Sequence, residues 1–261
     1  MTQALDAQEI DFRECRSLSD YEQCVRIEHT VWGESLAVPV PIFVVARHAG
    51  GQILGAFESG GVIGFTLAFA ALRDRQVFLH SHIAVVLPQF RNRGVGRRLK
   101  LFQREEAVRR GIDLIEWTFD PLDLKNAYFN LVRLGAVARR YLPNCYGVTD
   151  SPLHAGLPTD RLVAEWWLRS DRVQSVAAGS PRPGPTSVER ITIPAELATL
   201  RQSDRAAALG IQLQARERFQ KCLARGLAAT GVERHDGATD YLFEPTSGIQ
   251  GLKLPEIPKQ D

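Results

Sequence analysis

The most constraining feature of this chain is the hexapeptide Arg91-Asn92-Arg93-Gly94-Val95-Gly96. It stands between a strand-like run, Phe78 to Val86, and a helix-like run that opens near Arg97. Two glycines let the backbone turn tightly with no Cβ in the way, so successive amide N–H groups can converge on one ligand. A helix starting behind them adds the positive end of its dipole. Five of the ten residues from Arg91 to Lys100 are basic. The pattern describes an anion cradle, and a diphosphate fits it.

Other glycine-rich loops also hold phosphates, and two are excluded here. A dinucleotide fingerprint needs a third glycine where Leu99 stands, and a P-loop needs a Lys-Ser/Thr pair that is missing. What remains is Arg-x-x-Gly-x-Gly after a strand ending in Val86-Leu87-Pro88. Over Ile83 to Gly111 this resembles motif A of the GNAT acyltransferases. Asn126-Ala127 and Leu134-Gly135-Ala136 resemble motif B of the same superfamily. Where the family usually carries a tyrosine as acid towards the CoA thiolate, this chain has Leu131; Tyr128, one turn earlier, substitutes only if the helix is rotated.

The resemblance is greatest to uncharacterised bacterial acetyltransferases of that superfamily. It implies an α+β, three-layer fold: a mixed, mostly antiparallel sheet flanked by helices, with an α+β C-terminal extension. It implies acetyl-CoA (or another acyl-CoA) as co-substrate. Arg91, Asn92, Arg93, Gly94, Val95, Gly96 and Arg97 would hold the diphosphate. The backbone of Ala84, Val85 and Val86 would take the pantetheine arm, with Asn126 beside it. The strand after the loop helix, Leu114 to Phe119, would splay away to admit the arm. The acceptor would be a primary amine.

Composition bounds the rest. A net charge of +2 over 261 residues implies no general nucleic-acid or membrane partner, so the basic cluster is local. Four cysteines, Cys15, Cys24, Cys145 and Cys222, show no ligand spacing and read as free thiols of a reducing compartment. Met1 to Ile10 does not read as a signal peptide, and no apolar run is long enough to span a bilayer. A cytoplasmic protein is expected, with a homodimer left open.

In chain order, Ile10 to Cys15 reads as a strand. Ser17 or Ser19-Asp20 caps a helix with Glu22 in its first turn, ending near Trp32-Gly33. Ile42 to Arg47 is too brief to assign to helix or strand. Gln52 to Glu58, Val62 to Ala70 and Val77 to Val86 form a meander with turns at Ser59-Gly60-Gly61 and Arg73-Asp74-Arg75. The helix to Arg110 buries Val95, Leu99 and Phe102 and offers Glu105–Arg109 and Glu106–Arg110 pairs. Asp113 to Phe119 is a strand, and Lys125 to Leu134 a helix stopped by Gly135. Arg139 to Val148 and Leu162 to Leu168 follow as strands, the latter with one of Trp166 and Trp167 outside. This gives a domain over 1–172, a Pro/Gly/Ser-rich linker over 173–187, and a small α+β segment over 188–261. That segment has a strand at Val188 to Ile193, a long helix capped by Ser203, and a strand near Tyr241 to Phe243. It is too small to hold a full core alone and is expected to dock elsewhere.

Acyl transfer to an amine needs a held cofactor, a polarised carbonyl and a base for the ammonium proton. His80 and His82 alternate onto one strand face, and a histidine suits a base near neutral pH. Asp120, where the next strand ends, either binds the ammonium or caps its own Asp-Pro turn, and Glu116 lies on that strand. Glu28 reads as a solvated helix residue that could line the acceptor groove. No metal-ligand spacing emerges, and no Ser or Cys has a nucleophile's context, so direct attack in a ternary complex is expected. Two rival readings are a non-catalytic acyl-CoA-binding module, which Leu131 favours, and a nucleotide-phosphate binder, which the absent P-loop lysine disfavours.

Overall fold

The computed structural model describes residues 9–33, 37–147, 156–180, 187–249 and 251. The N-terminal ten residues apart from Glu9 and Ile10, Val148, and the Pro181–Thr186 heart of the expected linker therefore lie outside the described residues. The chain divides into two compact units at Ile115/Glu116.

The first unit is an antiparallel meander in the order β1-β2-β3-β4: β1 (Asp11–Glu14), β2 (Gln52–Glu58), β3 (Gly61–Arg73) and β4 (Gln76–Val86). Its two hairpins turn on residues of positive φ, Ser59 and Gly60 at 51° and 78°, then Asp74 and Arg75 at 50° and 63°. Such turns match the right-handed twist of the flanking strands. Helix α1 (Leu18–Trp32) is capped by Ser17, with Asp20 completing a capping box and standing as the acid of the first turn in place of the expected Glu22. The undecided stretch around Ile42 to Arg47 is helix α2 (Val40–His48), entered through Pro39 and with Pro41 in its first turn, where no N–H is needed.

α1 and α2 cover one sheet face: Tyr21, Cys24, Ile27 and Phe43 pack with Ile53, Phe57, Phe65 and Leu67. Each fully buried Phe or Leu there contributes about 1.5–3 kcal/mol. Gly51 makes this possible, since a Cβ would lie 2.3 Å from the Ala68 carbonyl and 2.6 Å from that of Ala46. Helix α3 (Val95–Arg109) covers the other face, placing Val95 and Leu99 on Leu54, Ala56 and Ile63, with Phe102 at the margin. The expected i,i+4 pairs do not form as such. Arg109 pairs with Glu106, and Arg110 donates to the carbonyls of Gly50 and Gly51, capturing backbone that the α2–β2 turn leaves unpaired.

The second unit carries strands in the order β5-β7-β6-β9-β10-β8: β5 (Leu114–Phe119, which crosses the unit boundary), β7 (Arg161–Trp167), β6 (Val137–Leu142), β9 (Leu227–His235), β10 (Ala238–Pro245) and β8 (Glu189–Pro194). Trp166 and Trp167 are both buried, because β7 is covered on both faces. The Trp166 indole donates to Leu134 O at 2.7 Å and Trp167 to Glu165 Oε2 at 3.2 Å. The expected strand from Arg139 is shorter and starts earlier. It carries a bulge: Ala138 pairs with Ala164 and Arg140 with Val163, leaving Arg139 without a partner in the ladder. The bulge aims both arginines at Glu165, with Arg139 Nε 3.0 Å from Oε2 and Arg140 Nε 3.5 Å from Oε1, while Arg140 Nη2 also lies 2.6 Å from Glu116.

The C-terminal segment continues this sheet. β9, which the sequence reading did not identify, pairs with β6 through Ala229 and Ala138. Helix α5 (Asp171–Ala177) occupies the start of the expected linker. The expected long helix is α7 (Arg205–Ala224), capped by Asp204 rather than Ser203, and a short helix, α6 (Leu197–Ser203), precedes it. Phe219 of α7 stacks on Tyr141 of β6 at 5.6 Å and meets Tyr241 edge-on at 4.9 Å. Arg216 of α7 binds both oxygens of Asp160, at 2.9 and 2.7 Å, beside Tyr141 Oη at 2.6 Å. Burial pushes the Asp160 pKa up, but Arg216, Tyr141 and the Asn144 amide outweigh it and hold the carboxyl below its ordinary value.

Candidate functional site

The loop between β4 and α3 is a tight turn centred on Gly94. After β4 a single 3-10 turn (Pro88–Phe90) brings the chain to Arg91, whose Nε donates to Val86 O at 3.0 Å and folds the loop back on the strand end. Asn92 and Gly94 are both left-handed, with φ of 61° and 78°. Gly94 is the N-cap of α3, and the first intrahelical bond runs from Arg98 N to Gly94 O at 3.0 Å. Amides earlier than Arg98 belong to the helix start, and glycine gives them no capping side chain. A Cβ on Gly94 would meet nothing, so conformation alone selects glycine there. Gly96 differs: its φ is not positive, and a Cβ would sit in ordinary contact, 3.7 Å from Val86 Cγ2. Its missing side chain keeps the approach to the helix start open. Arg91, Asn92, Arg93 and Gly94 are exposed, Gly96 and Arg97 half-buried and Val95 buried. Arg93 stacks over Phe90 at 5.3 Å and lies 3.8 Å from Glu58. The loop thus offers backbone amides, a helix N-terminus and several guanidiniums, which fits a diphosphate.

β4 carries a bulge at His82. Leu67 pairs with Ile83 and Ala68 with Ser81, so His82 has no partner in the β3–β4 ladder. A bulge re-aims a side chain, and these features gather beside active sites. His82 and Ala84 are exposed while Ser81, Ile83 and Val85 are buried. The His82 ring lies 5.8 Å from Phe69, and although its edge reaches solvent, the atoms packed around the ring reduce its solvation and lower its pKa below the ordinary value. His80 pairs in the ladder with Phe69.

Two buried titratable groups in this unit were not legible as such. Glu28 of α1 is fully buried rather than solvated. Its Oε2 accepts the Val38 N–H at 3.1 Å, its Oε1 has no partner among the described residues, and burial raises its pKa to about 7. Lys100 of α3 is buried, with Nζ 2.6 Å from Gln103 Oε1 and 3.3 Å from Ser81 Oγ, and burial lowers its pKa to about 7. The signal available in the sequence was the register: Lys100 follows Leu99 on the α3 face that packs against the sheet.

In the second unit the motif B region is not one α-helix. α4 (Leu124–Tyr128) passes into a π-turn over Phe129–Arg133, closed by Leu134 N to Phe129 O at 3.0 Å. Such turns gather at functional sites. Asn126 Oδ1 accepts from Asn130 Nδ2 at 3.2 Å, and Leu131, at the position of the family's acid, is fully buried. Tyr128 lies about 200° around the helix from Asn126 and is 47% exposed. Asp120 is fully engaged: Oδ1 accepts the Leu122 amide at 2.8 Å, and Oδ2 meets Arg201 of α6 at 2.9 Å. Glu116 is ion-paired to Arg140. Among the described residues no group of three or more His, Cys, Asp or Glu could hold a metal ion, and no helix is long and apolar enough to cross a membrane.

No protein-family model matches the chain, and no curated protein matches it. Solved structures do. One is NAA60 of Arabidopsis thaliana in complex with acetyl-CoA, at TM-score 0.51 and 15% identity, covering 61% of this chain and 99% of that one. An N-acetyltransferase from Staphylococcus aureus Mu50 matches at TM-score 0.51 and 16% identity, covering 62% and 99%. A GNAT-family acetyltransferase from Streptococcus pneumoniae matches at 0.50 and 18%, covering 60% and 98%. The chain has the GNAT fold over about three fifths of its length, and the remainder lies outside these matches.

Proposed function

We propose that this GNAT-fold chain moves an acyl group, acetyl first, from acyl-CoA to a primary amine by direct attack within a ternary complex. The observation that carries the reading is the Asn92–Gly94 left-handed turn feeding the α3 N-terminus beside Arg91, Arg93 and Arg97. Of the similar structures described above, NAA60 of Arabidopsis thaliana is in complex with acetyl-CoA. When bound, the cofactor supplies an activated thioester carbonyl. The loop residues hold its diphosphate, and the Ala84–Val86 backbone carries its pantetheine arm. His82, whose pKa is lowered and which the bulge sets outward, accepts the proton that the acceptor ammonium must lose before it can attack. His80 and Asp120 are the other candidates for this role, and Asn126 for holding the arm. Asp120 is committed to Arg201 and the Leu122 amide, which weakens its claim.

A second reading, a non-catalytic acyl-CoA-binding module, is favoured by Leu131, which supplies no acid for the thiolate. Calorimetric titration with acetyl-CoA, CoA and ATP tests both. Gly94→Val should lower acetyl-CoA affinity at least tenfold, because an L side chain at φ 78° costs about 1–2 kcal/mol and moves the amides. Acetyl-CoA binding without turnover of any primary amine would select the binding module. Unchanged affinity in the variant would remove the cradle.

A further inference from the structure

The second unit holds a cavity whose lining shares only Tyr128 with the acyl-transfer candidates. Its volume is about 580 Å³, within the range of small-molecule sites of about 300–1,000 Å³. One wall is the face of α4 formed by Leu124, Lys125 and Tyr128; the other is the β9–β10 hairpin, including Val232, Arg234 and His235. Asn126, our candidate for the cofactor, is not among its lining residues.

The lining has a definite chemistry. Leu124 and Val232, joined by two alanines, make it apolar, and the exposed Tyr128 ring adds a flat face. Three basic side chains line it and no carboxylate does. Of the acids close in sequence to the lining, Glu233 is bound to Arg190 at 2.8 Å, Asp240 to Arg190 at 3.4 Å and to His235 at 3.3 Å, and Asp123 accepts the Asn126 amide at 3.0 Å. Asp236, at the hairpin tip, lies outside the lining. Lys125 and Arg234 have no ion pair among the described residues. Two uncompensated cations beside an apolar, aromatic-faced cavity favour an anion carrying a flat apolar body: the charge meets the cations, the body displaces water from the walls, and Tyr128 stacks.

We propose that the α4/β9–β10 cavity is a second ligand site, specific for aromatic carboxylates. Lys125 and Arg234 bind the carboxylate, and Tyr128 and Val232 enclose the ring. The inference does not depend on the acyl-transfer reading, since binding is measured without any CoA or amine.

The probe is 2-naphthoate, titrated calorimetrically into the full-length protein, with neutral 2-naphthamide as the control. Saturable naphthoate binding is expected, with naphthamide at least tenfold weaker. Lys125→Ala combined with Arg234→Ala should weaken naphthoate at least tenfold while leaving naphthamide unchanged. Both side chains are exposed, so the fold tolerates their removal. Tyr128→Ser should weaken both ligands. Absence of saturable naphthoate binding, equal affinity for the amide, or unchanged affinity in the double variant would overturn the proposal.

Discussion

Glu28 gives the sharpest physical test of this structure. Its carboxyl is fully buried on α1, with one oxygen on the Val38 amide and the other without a partner among the described residues. Burial raises its pKa from an ordinary 4.5 to about 7. The folded chain therefore holds this proton more tightly than the unfolded chain does. Its contribution to stability is full below pH 4.5, declines as pH rises towards 7, and is lost above that. At about 1.4 kcal/mol per pKa unit, the loss amounts to about 3 kcal/mol. Glu28→Gln removes the titration while keeping an oxygen for Val38. The new amide brings buried donors to the place of the unpartnered oxygen, at a cost of about 1–3 kcal/mol that does not vary with pH. The readout is therefore a difference of differences. Urea unfolding of wild type and variant is measured at pH 5, 6, 7 and 8. The variant should gain about 2.5 kcal/mol on the wild type between pH 5 and 8, the rest of the loss lying below pH 5. A flat difference across that range would refute the burial argument and place Glu28 in contact with water.

The remaining predictions follow from single environments. Lys100, lowered by burial from 10.5 to about 7, binds its proton less tightly folded than unfolded, so wild-type stability should rise through it between pH 7 and 10.5. Lys100→Met should remove that rise, as read by urea unfolding at pH 7 and 9.5; a retained slope would show that Lys100 is not its source. Glu165→Ala strands the buried Arg139 while Arg140 keeps Glu116, so about 3–5 kcal/mol should be lost, and a urea midpoint within error of wild type would show that the Arg139 guanidinium reaches solvent. His82→Gln should lower kcat about 10²- to 10⁴-fold with acetyl-CoA affinity intact, and unchanged turnover on an amine found by screening would remove it as the base.

Much of this fold was written in local sequence. The meander, its two turns and α3 are legible because alternating apolar runs meet residues able to take positive φ, and because Gly94 can be read only as a tight turn into a helix. The tight turn into α3 was legible for the same reason, since glycine sets the direction of its backbone amides. What the sequence could not show depends on residues far apart in the chain. Glu28 looks like a solvated helix residue until the fold buries it against the Val38 amide, and Lys100 looks like one more loop cation until α3 turns it onto Ser81. The bulges at His82 and Arg139 arise from ladder mismatch between strands, which no single strand contains. β9 escaped notice because Ala228, Ala229 and Gly231 interrupt its apolar run with residues of little strand preference, and the strand is held by pairing with β6 and β10. The C-terminal segment likewise reads as a marginal appendage, yet Arg216 neutralises Asp160 and Phe219 stacks on Tyr141. Local backbone preference fixes turns and caps within a few residues, whereas burial and charge are properties of an environment that exists only once distant elements have packed.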